Sequence, residues 1–161
     1  MLIRNATLQD IDALASVEAE CFPAAEAATR EELYDRVEHY GNHFWLMYDG
    51  EVLVAFVDGM VTNEADLTDE MYARAYMHDE NGKWQMIFGV NTIPGYRRRG
   101  LAGELIGAAI ADARKQKRRG LVLACKDTLV HYYEKFGFVS EGVSGSEHGG
   151  VSWNQMRLTF E

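Results

Sequence analysis

The segment that most constrains the fold of this chain is an apolar run leading directly into a turn rich in glycine and arginine. The run covers Trp84 to Thr92, and the turn reads Pro-Gly-Tyr-Arg-Arg-Arg-Gly-Leu-Ala-Gly over residues 94–103. The amphipathic segment that follows predicts a helix from Leu101 to Lys117. A strand, a glycine-rich turn and a helix in this order are typical of an anion site, because glycine lets the backbone approach a ligand closely and the N–H groups at a helix start point outward. An ordinary turn with solvated arginines fits the same residues equally well.

The turn matches neither of the two common nucleotide-binding signatures. The chain contains no G-x-x-x-x-G-K-S/T segment, and no G-x-G-x-x-G segment followed by an acidic ligand for a ribose. A mononucleotide site of the P-loop type and a dinucleotide site of the Rossmann type are therefore not predicted.

Charge and composition exclude several classes of function. The formal net charge is −9, with 16 Lys and Arg against 25 Asp and Glu, and an acidic surface repels nucleic-acid phosphates. Cys21 and Cys125 form neither a disulfide framework nor a metal-ligand pattern. No apolar run is long enough to span a bilayer, and the N-terminus lacks the apolar region of a signal peptide. We expect a cytoplasmic monomer or homodimer that binds no metal, nucleic acid or membrane.

Hydrophobic periodicity predicts alternating strands and helices without internal repeats. Strands are predicted over residues 2–6, 42–48, 51–60, 84–92, 121–124, 138–141 and 152–160. Helices are predicted over residues 7–22, 24–39, 101–117 and 127–135, with a loop and a short helix over residues 62–83. Asp49-Gly50 predicts a hairpin between two of the strands. This order, without long linkers, indicates one α/β domain over residues 1–161.

The turn over residues 97–102 resembles the R/Q-x-x-G-x-G/A motif of the GNAT (Gcn5-related) N-acetyltransferase superfamily. The resemblance implies that backbone amides of the turn hold the pyrophosphate of coenzyme A, with acetyl-CoA as the co-substrate. It also implies a mixed, mostly antiparallel central sheet, flanked by helices on both faces and splayed at the coenzyme cleft. The residues that it implicates in coenzyme binding here are Arg97, Arg98, Arg99, Gly100, Leu101, Ala102 and Gly103.

The strand before the turn resembles the central strand of the superfamily, which pairs with the pantetheine arm of the coenzyme. The corresponding residues here are Val90, Asn91 and Thr92, acting through main-chain groups. The N–H of Val90 is implied as the donor that polarises the thioester carbonyl.

A second motif, from Tyr132 to Phe138, reads Tyr-Tyr-Glu-Lys-Phe-Gly-Phe. It is similar to the later motif of the superfamily, in which a tyrosine lies near the sulfur of acetyl-CoA. Tyr133 is thereby implied as the general acid that protonates the leaving thiolate, since a phenol carries a proton at neutral pH. The alternative for Tyr133 is an aromatic core residue. We expect Tyr132 to serve in packing or to face solvent.

Four further stretches resemble the arylalkylamine N-acetyltransferase branch, the serotonin-acetylating family. They are Cys125 to Gly137, Asn63 to Glu70, Cys21-Phe22-Pro23, and Gly149 to Met156. The loop at Cys21 resembles the Cys-Pro loop that covers the acceptor amine in that branch. The resemblance extends over about residues 2–160 and implies a small-molecule amine as the acceptor.

The chain departs from that branch at the position of its catalytic base. Vertebrate members carry two histidines, two residues apart, on the central strand. Aligned without gaps, these positions hold Met86 and Phe88, which cannot take up a proton. His148 and Glu26 are candidates for a substitute base, and each also fits an ordinary loop or surface residue. The third alternative is that the small neutral fraction of the amine reacts without a base.

Several aromatic and apolar residues are candidates for the acceptor pocket. Such a pocket suits the body of an arylalkylamine, and an acidic protein attracts its ammonium form. The same charge suits a polyamine or another primary amine, and several of these residues also fit the core. The candidates are Phe22, Pro23, Tyr34, Trp84, Phe88 and Trp153.

Two classes of function fit these observations. The first is an acetyl-CoA-dependent N-acetyltransferase that moves the acetyl group directly to a small primary amine. The second is a non-catalytic acyl-CoA-binding sensor or scaffold, which the missing histidines favour and which Tyr133 and the intact turn disfavour. Acetylation of proteins is a third hypothesis, disfavoured by a covered, aromatic acceptor site. Thiol release from acetyl-CoA with a panel of amines distinguishes the first hypothesis from the second.

Overall fold

The structure is a computed structural model that describes residues 1–143 and 153–161. The strands in these ranges are β1 (Leu2–Arg4), β2 (Phe44–Asp49), β3 (Val52–Asp58), β4 (Val61–Thr62), β5 (Trp84–Ile87), β6 (Gly89–Thr92), β7 (Gly120–Cys125), β8 (Val139–Val143) and β9 (Asn154–Thr159). The helices are α1 (Ile11–Cys21), α2 (Arg30–Tyr40), α3 (Asp69–Ala73), α4 (Leu101–Lys115) and α5 (Val130–Glu134). None of these helices has the length and apolar character needed to cross a bilayer.

The strands form two sheets that are connected through residues 84–92. The first sheet has the order β1-β2-β3-β6, and all of its neighbouring strands are antiparallel. The second has the order β4-β5-β7-β9-β8, in which only β5 and β7 are parallel. The predicted α/β fold with a mixed, mostly antiparallel sheet is confirmed, and the sheet is divided between β5 and β6.

Helices cover both faces of the first sheet. Side chains alternate along β2, as they must in a strand: Phe44 and Leu46 pack on the side of α1 and α2, and Trp45 and Met47 on the side of α4. All four side chains are buried. The sheet therefore has a core on each side.

The helix predicted over residues 24–39 begins later than predicted, at Arg30, so the prediction was wrong for residues 24–29. Thr29 Oγ1 accepts a hydrogen bond from the N–H of Glu32 at 3.1 Å, and Glu32 Oε1 accepts one from the N–H of Thr29 at 3.0 Å. This capping box fixes the start of α2 directly after Thr29. The residues before it close a turn onto the carbonyl of Pro23 instead.

The predicted single strand over residues 84–92 is divided at Phe88. β5 runs parallel to β7 as far as Ile87, which lies opposite Leu123. β6 begins opposite Asp58 of β3, and the Phe88 N–H donates to the Asp58 carbonyl at 2.7 Å. A continuous apolar run indicates burial but does not identify the partner strand, so the sequence did not show this division.

The predicted strand over residues 51–60 ends at Asp58, because the chain passes Met86 very closely at Gly59. A Cβ built on Gly59 would overlap the carbonyl oxygen of Met86. Only glycine permits this approach of two backbone segments, at the point where the chain passes from β3, which pairs with β6, to β4, which pairs with β5.

Gly59→Ala should lower the free energy of unfolding by about 3 kcal/mol, because the new methyl group meets a backbone carbonyl that the sheet holds in place. The matched control is Gly107→Ala in α4, where an added Cβ has nothing within 4 Å. Alanine there should raise the free energy of unfolding by up to ~1 kcal/mol through helix propensity. Urea unfolding curves measure both effects, and wild-type stability of Gly59→Ala would contradict the close approach.

Candidate active site

A cleft opens where β6 and β7 diverge. β5 holds the chain beside β7 as far as Ile87 and Leu123, after which β6 pairs with β3 while β7 continues along β9 to Cys125. β6 lies at the edge of its sheet, so its open side has no strand partner in the part of the chain that the structure describes. An extended ligand can form main-chain hydrogen bonds with such an edge. This divergence is the splay that the resemblance implied.

Two cavities occupy the cleft. The inner cavity, of about 90 Å³, lies between residues 87–90 and residues 123–125 and reaches the side chains of Glu18 and Arg36. The outer cavity, of about 510 Å³, lies between β6 and the turn over residues 96–102. The residues that line both cavities are Phe22, Val90, Leu129 and Tyr133. The two cavities therefore adjoin beside the end of β6 and α5.

The turn over residues 97–102 presents the N-terminus of α4 to the outer cavity. Gly100 immediately precedes α4 with φ +77°, in the left-handed region that favours glycine. Leu101 and Ala102 follow and line the cavity. The first N–H groups of an α-helix have no partner within the helix, so this end of α4 can donate hydrogen bonds to an anion.

The three arginines of the turn are exposed. Arg97 Nε donates to the carbonyl of Thr92 at 2.9 Å, which fastens the turn to β6. The guanidinium of Arg99 lies 4.8 Å from the ring centroid of Tyr96. Arg97 and Arg98 line the outer cavity, and Arg99 does not. The cavity thus has two cationic side chains at its mouth.

Besides Arg99, two other residues of the predicted coenzyme set, Asn91 and Gly103, do not line the outer cavity. Gly103 lies against α5, where an added Cβ would be 3.3 Å from the ring of Phe136. Asn91 is fully buried, and its side-chain amide donates to the carbonyl of Phe56 at 3.4 Å. The role predicted for Asn91 involves its main chain, but Asn91 lies opposite Phe56, and the next pair of the same parity is bonded through the N–H of Ile93 and the carbonyl of Val54. The main-chain groups of Asn91 therefore face β3, and those of Val90 and Thr92 face the open edge.

Tyr133 lies on α5 between the two cavities. Its side chain is 6% exposed, and its ring packs edge-on against Tyr132 and Phe138. Burial raises the pKa of the Tyr133 phenol well above its ordinary value, and Tyr132 and Cys125 raise that pKa further. The hydroxyl therefore keeps its proton throughout the physiological pH range, as a general acid requires.

The candidates for a base lie in different environments. Glu26 lines the inner cavity, and its carboxylate is paired with Lys126 at 3.0 Å. His148 lies outside the described residues. At the positions of the histidines, Met86 is fully buried in the core and Phe88 lines the inner cavity.

Three of the six candidates for the acceptor pocket line the inner cavity: Phe22, Phe88 and Trp153. The other three lie elsewhere. Pro23 and Tyr34 are exposed on the surface, and Trp84 is buried in the core, where Arg157 covers its ring at 4.6 Å.

Sequence reasoning missed a buried carboxylate cluster at the inner cavity, formed by Glu18, Arg36 and Asp58. Their exposed fractions are 5%, 3% and 0%. Arg36 Nη1 donates to Asp58 Oδ2 at 3.1 Å, and its Nε and Nη2 donate to the carbonyl of Tyr72. Glu18 Oε2 accepts a hydrogen bond from the N–H of Ala28 at 2.9 Å. The cluster therefore has two carboxyl groups and one buried cation, which is bonded to Asp58 and not to Glu18.

Glu18 is the member of the carboxylate cluster that reaches the inner cavity from α1. Within the described residues, its Oε1 has no hydrogen-bond partner. Burial, followed by the negative charge of Asp58, raises the pKa of the Glu18 carboxyl to about 7, against opposing effects of Ala28, Arg36 and Asn91. This carboxyl can gain or lose a proton near neutral pH, as acid–base catalysts do.

A second polar cluster, away from both cavities, consists of His43, His78 and Glu80, whose potential ligand atoms lie within 4.8 Å of one another. His78 Nδ1 accepts a hydrogen bond from the N–H of Val61, so in a neutral ring Nε2 carries the proton and donates it to Glu80 at 2.9 Å. Arg118 adds a positive charge 3.2 Å from the same carboxylate. His43 faces the same carboxylate with Nε2 at 3.0 Å and Gln85 Oε1 with Nδ1 at 2.8 Å, so Glu80 is bonded by three basic side chains.

Comparisons with known proteins identify the family and the fold. The model of the acetyltransferase (GNAT) family matches residues 11–138. The solved GphF GNAT-like decarboxylase in complex with isobutyryl-CoA is 20% identical with a TM-score of 0.85, covering 99% of each chain. The loading GNATL domain of CurA from Lyngbya majuscula is 12% identical with a TM-score of 0.85, covering 98% of this chain and 96% of that one. Ribosomal-protein-alanine N-acetyltransferase from Brucella melitensis is 15% identical with a TM-score of 0.73, covering 99% and 100%. At these identities the likeness concerns the fold, and it confirms the fold that the resemblance implied.

A curated relative from Bacillus subtilis (strain 168), "Probable hydrolase YhcX", is 24% identical over 144 residues. The match includes 83% of this chain but 27% of that protein, so the chain spans about a quarter of the length of this relative.

Glu18→Gln should reduce the pH dependence of stability. A folded-state pKa of about 7, against an ordinary 4.5, means that the folded protein holds this proton more tightly than the unfolded chain does. The contribution of Glu18 to stability therefore falls as the pH rises from about 4 to 8, by roughly 3 kcal/mol, and glutamine abolishes this loss. Urea unfolding across this pH range should show Glu18→Gln gaining stability relative to wild type.

The matched control is Glu20→Gln, an exposed position on the same helix. A stability difference between Glu18→Gln and wild type that stays constant with pH would contradict the raised pKa.

Proposed function

The chain belongs to the acetyltransferase (GNAT) family, and on that premise we propose that it transfers an acetyl group directly from acetyl-CoA to a small primary amine. The observation that carries this proposal is the junction of two cavities beside Val90 and Tyr133. A direct transfer needs two substrate sites that meet at the reacting atoms. The outer cavity provides the coenzyme site and the inner cavity provides the acceptor site.

The coenzyme is proposed to lie along the outer cavity. The N-terminus of α4 and the arginines of the turn would bind the pyrophosphate. The open edge of β6 would offer main-chain groups of Val90 and Thr92 to the pantetheine arm, whereas those of Asn91 face β3. The GphF structure, which has the same fold and holds isobutyryl-CoA, supports an acyl-CoA ligand.

The proposed reaction proceeds by attack of the neutral amine on the thioester carbonyl carbon. A C–N bond forms and negative charge develops on the carbonyl oxygen, which the N–H of Val90 would stabilise. The C–S bond then breaks, and the departing thiolate takes the proton of Tyr133. Tyr133 recovers a proton from the nitrogen of the new amide. The products are the N-acetylated amine and coenzyme A.

The walls of the inner cavity support an amine with an aromatic or alkyl body. Phe22, Phe88 and Trp153 provide an apolar surface. The carboxylate cluster has more negative than positive groups, which favours a cationic acceptor. An arylalkylamine matches both properties, and a short polyamine matches the charge.

The carboxylate cluster also distinguishes amine acylation from a second reaction, decarboxylation. The name of the GphF structure describes a decarboxylase. A substrate for decarboxylation would bring its carboxylate close to Glu18, where like charges repel. Arg36, the cation that lines the same cavity, does not offset this repulsion because it is already bonded to Asp58 and the carbonyl of Tyr72. Amine acylation is therefore the better match to the inner cavity. A non-catalytic acyl-CoA binder is the alternative hypothesis, with the outer cavity as its ligand site.

A thiol-release assay with acetyl-CoA and a panel of amines tests the proposed function. The panel should include 2-phenylethylamine, tryptamine and spermidine. Thiol release above the rate of spontaneous hydrolysis supports amine acetylation. If acetyl-CoA raises the melting temperature but no amine releases thiol, the protein is a binder.

Gly100→Val should abolish the stabilisation that acetyl-CoA confers on the folded protein, because a side chain at the start of α4 blocks backbone approach to the pyrophosphate. Gly50→Val is a matched control: both glycines have positive φ, and an added Cβ has nothing within 4 Å at either position. The strain of the substitution is thus similar, but Gly50 lies in the distant hairpin. Melting curves with and without acetyl-CoA should show a shift in Gly50→Val only. An equal shift in both variants would place the coenzyme elsewhere.

Tyr133→Phe should lower kcat on the order of 10²-fold with little change in coenzyme affinity, because it removes the hydroxyl and keeps the ring packing. Tyr132→Phe removes a hydroxyl from the neighbouring position and should have a much smaller effect. Steady-state thiol release measures kcat, and wild-type turnover in Tyr133→Phe would show that the thiolate leaves without this acid.

A further inference from the structure

We propose that Glu18 is the base that takes the proton from the acceptor amine, with Asp58 behind it strengthening that base. This inference rests on the proposed acetylation of an amine and names the group that replaces the missing histidines. It assigns a catalytic residue to α1, an element to which the sequence assigned no catalytic residue.

The first support is the geometry around Gly89. A Cβ built on Gly89 would lie 3.6 Å from Glu18 Oε1, 3.0 Å from Asp58 Oδ1 and 2.9 Å from Asn91 Nδ2. The two carboxylate oxygens thus face the same point beside the backbone of β6. The side-chain amide of Asn91 favours the charged form of Glu18, and the N–H of Gly89 favours that of Asp58. Within the described residues, however, neither oxygen has a hydrogen-bond partner at ordinary length and angle. Buried carboxylate oxygens normally have one, so a donor from a ligand is expected at Glu18.

The second support is the position of Glu18 relative to the reacting atoms. Glu18 and Gly89 both line the inner cavity. Gly89 directly precedes Val90, whose N–H is the proposed donor to the thioester carbonyl. An amine between Glu18 and that carbonyl would therefore have a proton acceptor on one side and the acetyl carbon on the other. Asp58 is fully buried and does not line the cavity, so it acts through Glu18.

The third support is the charge balance of the carboxylate cluster. Arg36 is its one cation, and three of its N–H groups are engaged by Asp58 and the carbonyl of Tyr72. Glu18 is left without a directly paired cation in the described part of the chain. An ammonium group supplies both the missing charge and the missing donor.

The groups that face Glu18 determine how it titrates. Asp58 and burial favour its protonated form, whereas Arg36 and the N–H of Ala28 favour the carboxylate. Burial raises the pKa values of Tyr72 and Cys21, so both are neutral near pH 7. The side-chain amide of Asn91 favours the carboxylate to a smaller extent. The groups around Glu18 are Cys21 on α1, Ala28, Arg36 on α2, Asp58 on β3, Tyr72 on α3 and Asn91 on β6.

Deprotonation of the amine by Glu18 conserves protons and charge. The Glu18 carboxylate takes one proton from R–NH₃⁺, which leaves Glu18 as the acid and the amine as R–NH₂ with a free electron pair. That pair forms the C–N bond with the acetyl carbon. After the product leaves, Glu18 releases its proton to water. One proton is released for each acetyl group transferred, as the overall reaction requires.

The role of Glu18 as the base is tested by comparing Glu18→Gln with wild type. Both proteins receive acetyl-CoA with either 2-phenylethylamine or O-benzylhydroxylamine. The amide oxygen of glutamine can still accept from the N–H of Ala28, so the variant keeps the structural contact and loses the base. An alkylamine has a pKa near ~10, so about one molecule in 10³ is neutral at pH 7. O-Benzylhydroxylamine has a similar shape, but its nitrogen is largely unprotonated at pH 7 and needs no base.

We expect Glu18→Gln to lose on the order of 10²-fold in kcat/KM for 2-phenylethylamine at pH 7. The ratio of wild type to variant should fall as the pH rises toward ~9, where free amine is plentiful. With O-benzylhydroxylamine the two proteins should differ by less than about threefold. Glu20→Gln should match wild type with both nucleophiles.

Two outcomes would overturn the assignment of Glu18. One is an equal loss with both nucleophiles at every pH, which indicates a structural role. The other is no loss in Glu18→Gln, and in that case Glu26→Gln and His148→Ala test the other candidates. If wild type releases no thiol with either nucleophile at any pH, the proposed function itself fails, and with it this assignment.

Discussion

Residues 84–92 form hydrogen bonds with two sheets, and the cleft exists because of this division. β5 is held beside β7, and β6 is held beside β3, with Phe88 between them. Since β7 remains paired with β9 beyond Leu123, a gap opens that no strand of the described chain fills. Both cavities, the open edge of β6 and the position of Gly89 against Glu18 and Asp58 follow from this geometry.

The two ends of the cleft differ in charge. The outer cavity has the N-terminus of α4 and exposed arginines. The inner cavity is lined by the carboxyl groups of Glu18 and Glu26 and by Arg36, with Asp58 buried behind Glu18. Under the proposed function, an anionic coenzyme and a cationic acceptor would thus each be attracted to one end, and they would meet beside Tyr133. The net charge of −9 describes the chain as a whole and does not reveal this local separation.

Local sequence patterns predicted the parts of the fold that depend on neighbours in sequence. The turn at Gly100, the helix α4 and the hairpin at Gly50 are of this kind. The carboxylate cluster depends on the packing of α1, α2 and β3, which no local pattern reports. The sequence did carry one signal in each helix, a charged residue at a position of the apolar face. In α1, Glu18 lies four residues after Leu14. In α2, Arg36 lies between Leu33 and Tyr40. A charged residue at such a position needs a buried partner, but the sequence does not identify that partner.

A crystal structure with a non-hydrolysable acetyl-CoA analogue is the most direct measurement of how the two cavities divide the substrates. We predict the pyrophosphate on residues 97–102, the pantetheine arm along β6, and the atom in the sulfur position within about 3.5 Å of the Tyr133 hydroxyl. The acetyl group should point into the inner cavity toward Glu18. An acetyl group that lies outside the junction of the cavities, or a coenzyme bound away from β6, would contradict the assignment of both cavities.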